Sequence, residues 1–183
     1  MQKKAAATAF VALCLFISPY VGAQQAARPG ELTAQDYLEI QQLIAKYALA
    51  IDTCSNNGYD YADLFTADGA FVPSFNGKAA APIQGRDRLA QISGGGASGC
   101  KNVPWIVQGV RHLYTNHIIT PTPEGASGYV DMLMIGLGGD PNKIEYDGHY
   151  EDTYVRTPQG WRFKQRVHHA LLREGQRVAP AAQ

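Results

Sequence analysis

A chain of 183 residues with 45% hydrophobic side chains has the length and apolar content of one globular domain. Its 16 basic and 16 acidic residues balance, and no basic run stands out, so nucleic-acid binding, which requires phosphate neutralisation, has no basis here. No phosphate loop, dinucleotide fingerprint, haem-attachment motif or Cys-x-x-Cys spacing occurs, so no cofactor and no metal site is expected.

Residues 1–23 have the layout of a secretory signal peptide: basic Lys3 and Lys4, an apolar run from Ala5 to Ile17, and Val21-Gly22-Ala23 as a small-residue cleavage pattern. The run is short for about 30 Å of hydrocarbon, and no stop-transfer pattern follows, so no membrane association is expected after cleavage. The expected location is periplasmic or secreted. There Cys54 and Cys100 either form a disulfide or stay as two free thiols, with the bridge favoured by the oxidising compartment.

Residues 24–32 read as a polar leader. Thr33 is a predicted helix N-cap, with Asp36 in the place of a capping-box acid. Tyr37, Ile40, Leu43, Ile44, Tyr47 and Ile51 recur at helical spacing, and Ser55-Asn56-Asn57-Gly58 predicts the stop near Asp52. A short helical turn fits Tyr59 to Phe65. A strand begins at Ala70-Phe71-Val72, and Pro73 and the Gly77 turn should soon end it. Gly85 to Ile92 suits a helix, and residues 93–104 a glycine-rich loop, pinned if Cys100 is bridged. The period then changes to that of strands: Val110–Thr120, Ala126–Leu137, Ile144–Arg156 and Trp161–Leu172, separated by turns. Residues 173–183 read as a flexible tail. Helices first and long strands after predict an α+β fold, with the domain at 33–172 and its helices packed on one face of the sheet.

Several pieces together carry a resemblance: Tyr47 and Asp52 on the first helix, Leu64-Phe65 with Asp68-Gly69, Gly85-Arg86, and His112 with Asn116. Gly148-x-Tyr150-x-Asp152 and Gly160-Trp161-Arg162-Phe163 complete the set. The chain resembles the SnoaL-like (polyketide cyclase/dehydratase) branch of the nuclear-transport-factor-2-like superfamily, over about Thr33 to His169. Around His112–Asn116, Gly128–Asp131 and Arg156 it is also similar to hexachlorocyclohexane dehydrochlorinases. The resemblance implies a cone-shaped, curved antiparallel (mixed) sheet wrapped around the N-terminal helix, with an apolar pocket at its mouth. It implies an aspartate late in that helix paired with a histidine on the first long strand, here Asp52 and His112. It nominates Arg156 as a pocket residue and a homodimer or homotrimer as the assembly. Met134 stands near where many relatives carry an acid or histidine. Pro73-Ser74 stands where the ketosteroid-isomerase branch has its base, so that mechanism is disfavoured, although Tyr47 matches that branch's helix tyrosine.

A neutral imidazole can remove a proton from carbon, and a carboxylate on its other nitrogen fixes the tautomer, so His112 is the expected base and Asp52 its orienter. Five residues of about 100° each set Asp52 about 140° around the helix from Tyr47, so the two do not pair with each other. Tyr47 is either a general acid or oxyanion donor, or a core tyrosine with a satisfied hydroxyl. Tyr61, Trp105 and Tyr114 could wall the pocket or be plain core. Asn116, four residues from His112 on a strand, should face the same side. His149 and Arg156 have opposite parity, and Arg156 is preferred as pocket-facing; His168 and His169 are read as structural. The expected function is a cofactor-independent lyase eliminating water, halide or an aldehyde from a small cyclic or aromatic molecule. The alternatives are a small-ligand-binding domain of the same fold, or an isomerase or hydrolase using the same pocket.

Overall fold

The computed structural model describes residues 30–97, 99–100, 109–136 and 143–171, of which 145–147 and 171 are described by their backbone alone. The signal segment, most of the leader, Trp105 and the tail lie outside the described residues.

Helix α1 (Ala34–Thr53) starts as its sequence dictates. Thr33 accepts the Asp36 N–H at 3.2 Å, and the Asp36 carboxylate accepts the Thr33 N–H at 2.8 Å, which closes a capping box. Ile40, Leu43, Ile44, Tyr47 and Ile51 are all buried, so the apolar stripe faces the sheet. The helix ends at Cys54, a non-glycine residue in left-handed backbone (φ 49°, ψ 37°). A 3-10 turn (Ser55–Gly58) and α2 (Tyr59–Ala62) follow. At Gly58 (φ 82°) a Cβ would sit 2.3 Å from the Ala90 carbonyl oxygen, so only glycine lets this turn dock on α3 (Arg86–Ile92).

The strands are β1 (Phe65–Phe75), β2 (Lys78–Ala79), β3 (Ile83–Gln84), β4 (Arg111–Thr122), β5 (Gly125–Ile135), β6 (Ile144–Thr157) and β7 (Gly160–Leu171). They form one seven-stranded sheet in the order β2-β1-β7-β6-β5-β4, with β3 on β1. Every pairing is antiparallel except β1 with β7, which is parallel. The sheet is therefore mixed and the fold is α+β, with α1 against one face of an open sheet. None of the described helices is long and apolar enough to cross a membrane.

Two expectations need correction. Pro73 does not end β1: it lies opposite His168 and the strand continues to Phe75, because a parallel ladder does not draw on every N–H of the strand. Strand β1 also begins five residues earlier than Ala70, at Phe65. Glycines 94–96 fold back onto the 3-10 turn, where the Gly96 N–H donates to the Asn57 carbonyl at 2.7 Å and the Gly95 N–H to Ala90 at 3.0 Å. Cys54 and Cys100 are joined by a disulfide across 46 residues, tying the end of α1 to this segment. By chain entropy alone a closed loop of that length contributes about 4 kcal/mol. The double variant Cys54→Ser/Cys100→Ser should lose up to that amount in urea unfolding, and reductant should destabilise the wild type but not the variant.

Candidate functional site

The inner face of the sheet is defined by register. His112 and Tyr114 on β4 stand opposite Met134 and Met132 on β5; Tyr150 and Asp152 on β6 stand opposite His168 and Arg166 on β7. Alternate residues share a face, so these side chains and α1 enclose one interior.

At one end of this interior, Asp52 Oδ1 lies 2.5 Å from His112 Nδ1. The His112 backbone N–H also donates to the same carboxylate, at 3.0 Å to Oδ2 and 3.3 Å to Oδ1. Both residues are buried. A carboxylate accepts, so Nδ1 carries a proton, and in the neutral imidazole the lone pair is then on Nε2. Asp52 is in the last turn of α1, where the helix dipole disfavours an acid by about 0.3–1 kcal/mol, and no basic residue compensates there. The hydrogen bonds from His112 offset that cost and hold the end of the helix against the start of β4.

Beside this pair is a wall of aromatic rings. The His112 and Tyr114 rings are stacked with centroids 6.4 Å apart. Tyr47 and Tyr61 share a hydroxyl–hydroxyl hydrogen bond of 3.1 Å, and burial pushes both phenols above the usual range, so both remain protonated, one donating to the other. Helical geometry rightly separates Tyr47 from Asp52: its ring points into the aromatic cluster, within 6.0 Å of Tyr61, Tyr114, Tyr150 and Phe163.

Residues that sequence reasoning missed stand on the same wall. Arg166 is fully buried, with its guanidinium carbon 4.0 Å from the ring centres of both Tyr47 and Tyr150 and 4.5 Å from that of Phe163. Its Nε lies 3.2 Å from Asp152 Oδ1, yet off hydrogen-bonding direction, and none of its three nitrogens has a hydrogen-bond partner among the described residues. Burial opposes its charge, but Asp152 and the facing tyrosines outweigh that and keep it a cation. Asp152 is pushed up to about 6, chiefly by burial and against the pull of Arg166, and its second oxygen accepts the Tyr154 hydroxyl at 2.6 Å. A Cβ at Gly128 would lie 2.5 Å from the Tyr154 ring, so this glycine makes room for that tyrosine. His168 stacks on Tyr150 at 4.7 Å and is pulled down to about 3, first by burial and then by the charges of His112 and Arg166. The parity of Trp161 and Phe163 would have sent Arg166 and His168 outward. An extra residue, Lys164, left unpaired between Phe163 and Gln165 in the ladder, reverses the phase.

The other expected site residues divide. Met134 lies directly across the ladder from His112, and Tyr61 and Tyr114 face the interior. Asn116 does not share their side. The β4–β5 register shifts between Thr115 and Ile118, Asn116 turns into left-handed backbone (φ 54°), and its amide donates instead to Asp131 at 2.7 Å. Arg156 shares the parity of Tyr150 and Tyr154, but it lies at the far end of the interior. It pairs with Asp36, approaches Glu39 at 3.9 Å and lies over Trp161 at 5.3 Å. Asp36 and Asp52 are 16 positions apart on α1, about 24 Å, so Arg156 does not join the Asp52–His112 pair. Trp105 falls outside the described residues. Two surface clefts, of about 490 and 550 Å³, flank Trp161 near the start of α1, and neither is lined by Asp52 or His112.

Buried groups of opposite tendency set the acid response. Unfolded, His168 takes a proton near its ordinary pKa of about 6.5; folded, it refuses one until about 3. Its contribution to stability is therefore complete above about pH 6.5 and lost as the pH falls towards 3. Asp152 acts oppositely. The folded state takes its proton near 6, before the unfolded chain does near 4, which favours folding as the pH drops through that window. We predict that His168→Phe, which keeps the stack, removes about 3 kcal/mol of the wild type's loss between pH 8 and 4.5. Urea midpoints at the two pH values measure this; parallel pH profiles would refute it.

The SnoaL-like domain family matches residues 32–167. An uncharacterised protein of Mycobacterium tuberculosis, Rv2910c, is 32% identical over 140 residues, covering 72% of this chain and 83% of that protein. Among solved structures, Rv3472 of Mycobacterium tuberculosis, described as of unknown function, is similar with a TM-score of 0.57 and 26% identity, covering 74% of this chain and 72% of that one. A Novosphingobium aromaticivorans protein described as NTF2-like with a cystatin-like fold has a TM-score of 0.61 and 24% identity, covering 80% and 86%. Another protein of that organism, provisionally called a scytalone dehydratase, has a TM-score of 0.59 and 22% identity, covering 80% and 91%.

Proposed function

The chain belongs to the SnoaL-like domain family, and on that premise we propose that it is a cofactor-independent lyase acting on a small cyclic or aromatic molecule. The observation that carries this reading is the buried Asp52–His112 contact, with both carboxylate oxygens committed to one histidine.

In the proposed reaction, His112 Nε2 takes a proton from a carbon next to an electron-withdrawing group. The C–H electron pair becomes a new double bond as the leaving group departs with its own bonding pair. Asp52 stabilises the imidazolium that forms. Where hydroxide leaves, the imidazolium returns the proton and water is released; where halide leaves, the proton passes to solvent. In an aldehyde-releasing variant the same base takes a hydroxyl proton, the O–H pair forms the aldehyde C=O, the broken carbon–carbon pair passes to the carbon beside the electron-withdrawing group, and the imidazolium returns the proton there. The Tyr47–Tyr61 hydroxyl pair, kept protonated by burial, has one O–H beyond the one used in its mutual hydrogen bond, and that donor suits an oxygen that gains negative charge in the transition state.

The N-terminal signal pattern and the Cys54–Cys100 bridge both support export to a periplasm or the exterior. The exposed apolar side chains Leu113 and Ile118 on β4 support a homodimer or homotrimer.

The test is a substrate screen by mass spectrometry with the exported form of the protein, followed by variants on any substrate found. His112→Ala should lower kcat by at least about 100-fold, and Asp52→Asn by a comparable factor, with folding checked by circular dichroism. Saturable binding without turnover of any retained compound would favour a ligand-binding domain. Turnover unaffected in folded His112→Ala would defeat the mechanism.

A further inference from the structure

The outer face of the same sheet carries a second cluster that the proposed reaction does not use. His149 on β6 and His169 on β7 are direct cross-strand partners, and Glu151 is the next residue of β6 on that face. The two imidazoles stack with centroids 4.7 Å apart and planes 13° apart. One nitrogen from each histidine and one Glu151 oxygen all lie within 4.8 Å of one another. Three points so placed fit within about 2.8 Å of a common centre, against metal–ligand distances of about 2.0–2.1 Å, so each atom needs to close in by under about 1 Å. One pair, His169 Nε2 and Glu151 Oε2, is 3.3 Å apart, about the edge of a tetrahedral zinc site.

Two further observations point to a ligand. His169 Nε2 is buried and has no hydrogen-bond partner among the described residues, although the Glu151 oxygen is within reach, so its direction is unsuited to a simple hydrogen bond. The support around the histidines is also built. Tyr129 stacks on His149 at 4.9 Å. Asp131, opposite His149 on β5, accepts from the Tyr129 hydroxyl and the Asn116 amide, each at 2.7 Å, which fixes the Tyr129 ring against His149.

We propose that His149, Glu151 and His169 bind one borderline divalent transition-metal ion, zinc being the natural probe, with the remaining position left to water. Two imidazoles and a carboxylate suit such an ion better than magnesium or calcium, which prefer all-oxygen shells. The site lies across the sheet from Asp52 and His112, so it stands or falls independently of the elimination chemistry.

The test is a Zn²⁺ titration of the metal-stripped full protein against a chromophoric chelator, with Co²⁺ substitution read by its visible absorption. The expected result is one ion per chain, with affinity at least about 10-fold weaker in each of His149→Ala and His169→Ala and in the exposed, conservative Glu151→Gln. No binding by the wild type, or equal binding by wild type and the Glu151→Gln and His149→Ala/His169→Ala variants, overturns the proposal. Loss of the ion only in His112→Ala would assign it to the interior and overturns it equally.

Discussion

The buried guanidinium of Arg166 is the constraint on which the interior depends. It sits between Tyr47 of α1 and Tyr150 of β6, with Phe163 below and Asp152 beside it. One cation thus joins the central helix to two strands. Leaving a buried charge without good hydrogen bonds costs several kcal/mol, and contacts with the faces of several rings return part of that cost. Removing Asp152 alone would leave the cation unmatched, which is more damaging than never having the pair. The pair therefore fixes where the tyrosines stand, and the tyrosines shape the space next to His112.

The two ends of α1 divide the labour. At its start, Asp36 closes the capping box, accepts the Trp161 indole N–H at 3.0 Å and pairs with Arg156. That end is a structural clamp between the helix and the β6–β7 turn. At the other end, Asp52 is spent on a single histidine, in the one stretch of the helix where an acid is locally unfavourable. Local preference is overridden there by the contact with His112.

Much of the fold was legible because it is written locally. The Thr33 cap, the helical spacing to Ile51, and the hairpins at Pro123-Glu124 and Pro158-Gln159 all depend on neighbours in sequence. The contact between Asp52 and His112 came from family resemblance, since nothing in the composition of a helix and a strand 60 residues apart announces it. What could not be read was phase. A one-residue irregularity at Lys164 turns Arg166 and His168 inward, and another near Asn116 turns that amide outward. Period-two reasoning is reliable only between bulges. Arg156 is a different case: it lines the cleft beside Trp161, away from Asp52 and His112, because parity says nothing about position along a strand 14 residues long.

The parallel pairing of β1 with β7 also orders the chain in time. Ala70 meets Gln165, whereas β4 to β7 pair with their immediate successors. Closing so long a loop carries an entropic cost of about 4 kcal/mol before any ladder bond rewards it. The meander can form as it emerges, and so can the pairing of β1 with β2 and β3; the β7 edge of β1 must wait until the last strand exists. A chain that folds from its N-terminus would pair one edge of β1 with β2 and β3 and leave the other edge open until its final strand arrived, so among the β1 amides those that face β7 are the last to be protected.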